Sequence, residues 1–421
     1  MDARHVYDAI VAGAGPAGSR TARDLARAGL DVLIIEEHHA VGVPCHCSGL
    51  VTPRTLVRAG VGDQIVLNPI RGAVIHLGPD HSFTVGGDRV HAHVIDRVAL
   101  DRALVAQALE AGAELSLGTR LLDYTLEGRA SERYDAGAVV VRATEAGTEI
   151  RLRGRLLVGA DGARSSVARQ VRGGKPERIV AGLGGQADYA SPRADHVEVF
   201  VDHEAAPGWF GWTIPLASRV ARVGTGSANG IRPTESLARL RRRFPDSFGL
   251  AEMQSQTGGG IAIWEPTPMV ADRVLLVGDA ARQVKPTSGG GIFAALHAAE
   301  LAAETARAAL DRGDLSRRGL RSYPERWHAS IGREMRRGHD LRRIFTKLDE
   351  QHFARITESL AREEVRYAVD AAGDIDFPSR IVWAFARHAP SLAMRLATLP
   401  RFPAAWLRTG MSEDPATGSV A

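Results

Sequence analysis

The chain has few cysteines, few lysines and no long apolar run. Two cysteines among 421 residues are too few for a disulfide scaffold and are typical of a reducing cytosol. No apolar stretch approaches the roughly 18 residues of a transmembrane helix. The N-terminus enters a strand pattern at once, without the features of a signal peptide. These absences predict a cytoplasmic globular protein, which could still lie on a membrane surface.

The basic residues are almost all arginines, and they are spread along the chain. Lys175, Lys285 and Lys347 are the only lysines, and the formal net charge is +4. A nucleic-acid binder concentrates its basic residues on one element. Here the basic residues are scattered, apart from 241–243 and 333–343. We therefore expect no nucleic-acid partner.

A glycine-rich turn connects a strand pattern to a helix pattern near the N-terminus. Residues 6–12 are typical of a short strand, and the sequence GAGPAG that follows opens a helical stretch that stops at Gly29. Residues 31–35 form the next strand pattern, which ends at the acid Glu36. This order is the required setting of a dinucleotide-binding fingerprint.

Each residue of that turn has an expected role in binding a cofactor. Gly13 permits the tight turn, Gly15 lets the backbone approach a pyrophosphate, and Gly18 allows close packing of helix on strand. Ala14 belongs to the same turn, whose helix N-terminus favours phosphates. Glu36 is placed to accept hydrogen bonds from ribose hydroxyls, which disfavours a 2′-phosphate. The segment therefore predicts FAD or NAD rather than NADP.

Two later segments each place an acidic residue after an apolar strand pattern. LLVGADGARS contains Asp161, and RVLLVGDAA contains Gly278 and Asp279. The loop that follows, PTSGGG, opens a long alanine-rich helix pattern and suits close approach of backbone N–H groups to a cofactor. It supplies three further cofactor-binding candidates, Gly289, Gly290 and Gly291.

Together and in this order, these segments resemble the flavoprotein monooxygenase-like superfamily. The resemblance implies that FAD is the cofactor, that Asp161 lies near it, and that Gly278 and Asp279 hold its ribityl chain. It also implies that Arg97, which opens the helix pattern of RVALDRALVAQALE, lies beside FAD. An ion pair between Arg97 and Asp101 in the first turn of that helix explains the pattern equally well.

The segment APGWFGWTIPL (206–216) is dense in aromatics for a chain with 5% of them. It resembles the P-x-x-Y-x-W-x-F-P signature of geranylgeranyl reductases, although Phe210 replaces the usual tyrosine and Ile214 the usual phenylalanine. Its large residues suit a strand that walls an apolar cavity, although an ordinary core strand is the alternative. The segment also resembles a halogenase signature, but the lack of any lysine before Lys175 argues against that family. The expected substrate-binding residues are Pro207, Trp209, Phe210, Trp212 and Pro215.

Both cysteines lie in VGVPCHCSGLVTP (41–53). The segment resembles the G-x-P-x-x-C-x-G loop of geranylgeranyl reductases, on which Cys47 aligns with the family cysteine. The resemblance implies that Cys47 faces the flavin as a catalytic proton-relay group and that Gly49 gives the ring room. Cys45 is an extra neighbour. A zinc site or a Cys45–Cys47 disulfide is the alternative, and we expect no metal.

The predicted fold class is α/β (α+β), with a discontinuous Rossmann-like FAD-binding domain, an antiparallel β-sheet substrate domain and a helical C-terminal region. The expected limits are 1–69, 95–175 and 266–310 for the first, 70–94 and 176–265 for the second, and 311–421 for the third. Within the last region, residues 381–408 mix tryptophans and arginines with apolar residues. They predict either contact with a lipid surface or packing on the core.

The resemblance implies a flavin-dependent oxidoreductase that saturates isolated C=C bonds of an isoprenoid (geranylgeranyl-type) chain, by hydride from reduced flavin N5 plus a proton. An FAD-dependent monooxygenase that hydroxylates an aromatic or polyketide substrate shares every FAD motif and is the alternative. NAD(P)H, ferredoxin or a deazaflavin could supply the electrons. The expected partners are an isoprenoid or prenylated-lipid substrate, a redox partner protein and, peripherally, a membrane.

Overall fold

The protein is represented by a computed structural model that describes residues 5–128, 137–174, 179–228 and 230–390. The strands are β1 (Val6–Ala12), β2 (Val32–Glu36), β3 (Leu50–Val51), β4 (Val66–Ile70), β5 (Gly72–Leu77), β6 (His81–Gly86), β7 (Ala92–Ile95), β8 (Glu114–Leu117), β9 (Thr119–Glu127), β10 (Ala138–Glu145), β11 (Thr148–Gly159), β12 (Val180–Asp188), β13 (His196–Val201), β14 (Gly211–Ala217), β15 (Val220–Ser227), β16 (Glu252–Met253), β17 (Thr257–Ile261), β18 (Val270–Ala271) and β19 (Val274–Leu276). The helices are α1 (Pro16–Arg27), α2 (Pro53–Ala59), α3 (Arg97–Glu110), α4 (Ser166–Val171), α5 (Pro233–Arg243), α6 (Ile292–Arg312), α7 (Ser322–Ala329), α8 (Gly332–Phe345), α9 (Glu350–Leu360), α10 (Glu363–Ala372) and α11 (Ser379–His388). Short 3-10 turns span Asp63–Ile65, Phe248–Leu250 and Gly278–Ala281.

The first sheet has the order β18-β19-β11-β1-β2-β8, with β10 and β9 continuing from β11. The pairs from β19 to β8 are parallel. Their central strands are nearly continuous apolar runs because helices such as α1 and α6 cover the sheet. In register, Ala12 lies beside Ile35 and Gly159. The carboxyl ends of these strands therefore meet at one edge, and the predicted Rossmann-like core is confirmed.

The second sheet has the order β16-β12-β15-β14-β13-β5-β6, with β17 also paired to β12. Its pairs are antiparallel as predicted, except that β5 and β13 run parallel, with His196 beside Gly72. The two strands come from separate segments of the chain, so no tight hairpin turn forces them to be antiparallel. This parallel pair joins the two segments that we predicted to share one domain.

A small third sheet, β3-β7-β4, is not hydrogen-bonded to either large sheet. Most of β7 falls within the segment 70–94, which we assigned wholly to the substrate sheet, yet β7 pairs with β3 and β4. Alternating strand patterns cannot show which sheet a strand joins, because partners are chosen by long-range packing. The domain limits themselves stay a prediction.

Helices α7 to α11 follow the long helix α6, as predicted for the C-terminal region. α9 and α10 pack on β6, so these helices cover the end of the second sheet. Within the described residues, no helix is both long and apolar enough to span a membrane. Most of the segment 381–408, including Trp406, lies outside the described residues.

Candidate cofactor and substrate site

One cavity of about 1360 Å³ is lined both by the carboxyl edge of the parallel sheet and by a face of the second sheet. It exceeds the roughly 300–1,000 Å³ of an ordinary ligand pocket. Gly15 and Asp279 lie on the wall near the parallel sheet, and Trp212 and Val199 lie on the wall formed by the second sheet. The volume and the two kinds of wall suit a dinucleotide cofactor together with a second, apolar ligand.

The three fingerprint glycines are required for different physical reasons. Gly13 has φ +104°, and a Cβ there would collide with the carbonyl oxygen of Ala160 at the end of β11. A Cβ on Gly18 would collide with the carbonyl oxygen of Gly13. In contrast, no atom lies within 4 Å of the position that a Cβ on Gly15 would take. Gly13 and Gly18 therefore build the turn, whereas Gly15 keeps open the space beside the N-terminus of α1.

Glu36 braces the same turn from the end of β2. One carboxylate oxygen accepts a hydrogen bond of 2.8 Å from the Ala14 amide, and the other accepts one of 3.0 Å from the His38 amide. Glu36 is not part of the cavity lining, whereas Glu37 and His38 are. The sequence predicts that Glu36 binds ribose, and that role stays a prediction beside this structural one.

Asp279 is a buried carboxylate on the cavity wall. Among the described residues, its side chain accepts no hydrogen bond. Burial raises the pKa of Asp279 to about 6, although the positive charge of Arg97 opposes this shift. Gly278 precedes it at φ +69°. A buried carboxylate without a partner is costly, so Asp279 fits a site that donates hydroxyl hydrogen bonds, such as the ribityl chain of FAD.

The glycine-rich loop ends at the N-terminus of α6. Gly291 is the N-cap of this helix and offers no side-chain cap, so the first N–H groups of α6 are left for another acceptor. Gly289 and Gly291 line the cavity, whereas Gly290 does not. A Cβ on Gly291 would come within 3.2 Å of a carboxylate oxygen of Asp279. The open space at Gly15, the unpaired Asp279 and the free helix end together fit FAD.

Arg97 forms the ion pair that is one interpretation of its sequence pattern, and its position beside FAD stays a prediction. Its guanidinium forms an ion pair of 2.5 Å with Asp101 and also lines the cavity. Burial alone would lower the pKa of Arg97, but the charge of Asp101 and its hydrogen bond to the guanidinium help to outweigh burial and raise it. Arg97 is therefore a fixed positive charge near both sulfur atoms.

Asp161 has a structural use that the sequence did not suggest. Its carboxylate accepts hydrogen bonds from the Ser165 hydroxyl, from the Ser166 amide at 2.8 Å and from the Val167 amide at 3.3 Å. It therefore caps the N-terminus of α4 while lining the cavity. A direct contact with the cofactor stays a prediction.

Cys45 and Cys47 are two separate, half-buried thiols on the cavity wall. The Gly49 amide donates to the Cys47 sulfur at 3.4 Å, and the Cys45 sulfur lies 4.0 Å from the Cys47 carbonyl oxygen. In the part of the chain that the structure describes, no three His, Cys, Asp or Glu residues cluster as metal ligands would.

Gly49 serves a different neighbour from the one that we predicted. It has φ +70° and is not part of the cavity lining. A Cβ there would collide with the guanidinium of Arg222 on β15. Arg222 Nη1 donates to the carbonyl oxygens of Ser48, at 2.7 Å, and Ile95, at 3.1 Å. The missing side chain therefore makes room for an arginine that fixes the cysteine loop. The role of Gly49 beside a flavin ring stays a prediction.

The aromatic segment lines the cavity in part. Trp209, Phe210 and Trp212 are on its wall, whereas Pro207 and Pro215 are not. Trp209 stacks on Phe210 with ring centroids 5.0 Å apart, and Phe210 lies 5.9 Å from Trp212. β14 begins only at Gly211, so Trp209 and Phe210 lie in the turn before the strand that we predicted.

Strand β15 makes room for these rings. A Cβ on Gly224 would collide with Trp212, and a Cβ on Gly226 would collide with Trp209. The sequence analysis missed these glycines and the other apolar wall residues, because nothing local shows that they converge. The wall also includes Val197, Val199 and Val201 of β13 and Leu341, Ile344 and Phe345 of α8.

The fold and the site define a dinucleotide-binding flavoprotein. The model of the FAD binding domain family matches residues 6–337 of the chain. A digeranylgeranylglycerophospholipid reductase from Methanothrix thermoacetophila is 31% identical over 369 residues, which cover 85% of this chain and 92% of the relative. A relative of the same name from Methanosphaerula palustris is 30% identical over 410 residues, covering 93% and 98%.

A solved structure supports the same fold. The geranylgeranyl bacteriochlorophyll reductase-like protein from Thermoplasma acidophilum superposes with a TM-score of 0.80 at 23% identity, covering 94% of this chain and all of the other. The chain belongs to the FAD-binding domain family, and within it to the geranylgeranyl reductase family of FAD-dependent oxidoreductases. The predicted family and the predicted cofactor are confirmed.

Proposed function

We propose that the protein saturates isolated C=C bonds in a geranylgeranyl-type chain of an isoprenoid lipid. One observation carries the proposal: a single cavity is lined by the cofactor turns, by the cysteine loop and by an apolar aromatic wall. The names of the relatives, digeranylgeranylglycerophospholipid reductases, support an isoprenoid phospholipid as substrate.

The apolar wall holds the chain and excludes water. Burial of methylene groups stabilises a bound chain by about 0.8 kcal/mol per group, and the wall offers Val199, Ile75 and Phe345 for that contact. An isolated alkene has no carbonyl to activate it, so reduction requires a proton at one carbon and a hydride at the other. The face of Trp212 stabilises positive charge that develops on the chain.

On the cofactor side, the N-terminus of α1 beside Gly15 binds the pyrophosphate of FAD. The Asp279 carboxylate would accept hydrogen bonds from the ribityl hydroxyls, and the backbone N–H groups of the loop 286–291 would help to hold the cofactor. Bound FAD in its reduced form supplies the hydride. NAD(P)H, ferredoxin or a deazaflavin is the source of its electrons.

Cys47 holds the proton in this proposal. Its sulfur already accepts the Gly49 amide hydrogen at 3.4 Å, so its own S–H hydrogen is left for another acceptor. Once the proton has left, the Gly49 N–H and the positive charge of Arg97 stabilise the thiolate. Cys45 shares the influence of Arg97 but does not receive that amide hydrogen bond.

The test is anaerobic reoxidation of the dithionite-reduced enzyme. A geranylgeranyl phospholipid should restore the oxidised flavin spectrum, and its saturated phytanyl counterpart should not, because it has no bond to reduce. Flavin that stays reduced with every unsaturated lipid would contradict the proposal. Oxygen consumption that depends on an aromatic substrate would instead favour the monooxygenase.

A further inference from the structure

Arg342 reaches the substrate cavity from helix α8, and two other chain segments fix its guanidinium. The guanidinium lies 4.6 Å from the centroid of the Trp209 ring. It donates to the carbonyl oxygens of Pro286, at 3.2 Å, and of Gly208. The charge therefore has a set position on the wall next to the aromatic turn.

This cation has no counter-ion among the residues that the structure describes. Arg97 does have one, Asp101, and Lys285 pairs with Asp376 at 2.8 Å. Arg222 on the same cavity wall, like Arg342, donates to backbone carbonyl groups. For Arg342, no carboxylate oxygen lies within the 4.0 Å of an ion pair, and its sequence neighbour Arg343 is also basic. Burial lowers the pKa of Arg342 to about 10, so it remains protonated at neutral pH.

An unpaired cation in an apolar wall is costly unless a bound ligand supplies its counter-charge. The guanidinium has five N–H donors in a planar fork, and two carbonyl groups cannot use them all. That fork matches the oxygens of a phosphate group. The neighbouring side chains on the wall, Leu341, Ile344 and Phe345, are apolar. A ligand suited to this place carries both an anionic group and a hydrocarbon chain.

The geometry points to Arg342 as the residue that binds the phosphate group of the isoprenoid substrate. This inference rests on the proposed function, because it assumes that the cavity holds an isoprenoid chain. A phosphate is present both in a phospholipid headgroup and in a free prenyl diphosphate, so the chemistry is shared and the source is decided by experiment.

The test is calorimetric titration of the oxidised, FAD-loaded enzyme with digeranylgeranylglycerophosphate, geranylgeranyl diphosphate and geranylgeraniol. The wild type should bind the phosphate-bearing ligands more tightly than the neutral alcohol, and the tighter of the two identifies the source. R342Q should weaken their binding by about ten- to a hundredfold, since a hydrogen bond to a charged group contributes about 1.5–3 kcal/mol. Its affinity for geranylgeraniol should stay within about twofold.

R343Q is the matched control, because Arg343 is an exposed arginine on the same helix, and it should bind all three ligands like the wild type. R342K keeps the charge but loses the fork, and it should retain part of the preference for phosphate. If R342Q lost the same affinity for the alcohol as for the phosphate ligands, Arg342 would only hold Trp209 in position. That result would overturn the inference. A wild type without preference for phosphate would overturn it too, even if R342Q failed to fold.

The same titrations separate this inference from the proposed function. If phosphate ligands bind through Arg342 but never reoxidise the reduced flavin, the binding site stands and the reductase proposal fails. If lipids reoxidise the flavin but R342Q leaves the phosphate preference intact, the reductase proposal stands and the assignment of Arg342 fails. A shifted flavin midpoint potential in R342Q with unchanged phosphate preference would also overturn the assignment.

Discussion

Replacing Gly15 with alanine should weaken FAD binding without disturbing the fold. Gly15 has φ −72°, which alanine adopts freely, and its Cβ would meet no atom within 4 Å. The methyl group would instead enter the space where we expect the pyrophosphate. The free energy of unfolding should change by less than about 0.5 kcal/mol. FAD affinity should fall about tenfold or more, because one lost charge-assisted hydrogen bond costs about 1.5–3 kcal/mol.

Gly18→Ala is the matched variant, because it places the same methyl group one helical turn later. There the Cβ would collide with the Gly13 carbonyl oxygen, and backbone atoms cannot move aside as a flexible side chain can. We expect destabilisation of about 1–3 kcal/mol. Urea denaturation of the two FAD-free variants and flavin fluorescence titration measure the two effects separately.

Two results would refute this reasoning. A Gly15→Ala protein that binds FAD as tightly as the wild type would show that the pyrophosphate lies elsewhere. A Gly15→Ala protein as unstable as Gly18→Ala would show that the space beside α1 is filled in the folded protein.

Four further variants test other parts of the site. Cys47→Ala should keep its FAD but slow reoxidation of the reduced flavin by lipid at least about tenfold. Cys45→Ala should stay near the wild-type rate. Equal rates in the two variants would show that Cys47 has no catalytic role. Gly49→Ala should lower the melting temperature by several degrees, because the added Cβ displaces Arg222. This corresponds to a loss of roughly 1–3 kcal/mol in the free energy of unfolding. An unchanged melting curve would contradict that packing. Burial raises the pKa of Asp279 to about 6, above its unfolded value, so the folded state favours the protonated acid and loses stability as pH rises through 6. After removal of FAD, the stability of Asp279→Asn relative to the wild type should therefore increase from pH 4 to pH 8, and an equal difference in melting temperature at both would refute the burial argument.

The cofactor turns were predictable because their signal is local. Gly18 is required because its backbone packs on the Gly13 carbonyl group within the turn, and Gly13 because it packs on Ala160 at the end of the neighbouring strand β11. The spacing of the motif alone indicates both glycines. The second strand, predicted over 31–35, spans Val32–Glu36. The predicted acid at its end is present, but its carboxylate is used by the Ala14 amide, a contact that no spacing rule distinguishes from ribose binding.

The substrate side was less predictable because its contacts join distant segments. The aromatic segment was found by its composition, yet two of its five predicted residues, Pro207 and Pro215, lie off the cavity wall. Gly49 was predicted to give the flavin ring room, whereas its observed neighbour, Arg222, comes from a strand far along the chain. Arg342 gave no local signal, since it is one arginine among many on a basic helix. Such partners follow from sheet topology, including the parallel pairing of β5 with β13.

The central claim is that reduced flavin in this protein transfers hydrogen to an isolated alkene. The most direct measurement is a single anaerobic turnover of the reduced enzyme with digeranylgeranylglycerophosphate, followed by mass spectrometry of the extracted lipid. The account predicts a lipid heavier by one hydrogen molecule for each bond reduced, in proportion to the flavin reoxidised. Flavin reoxidation with an unchanged lipid, or a product that gains oxygen when air is admitted, would contradict it.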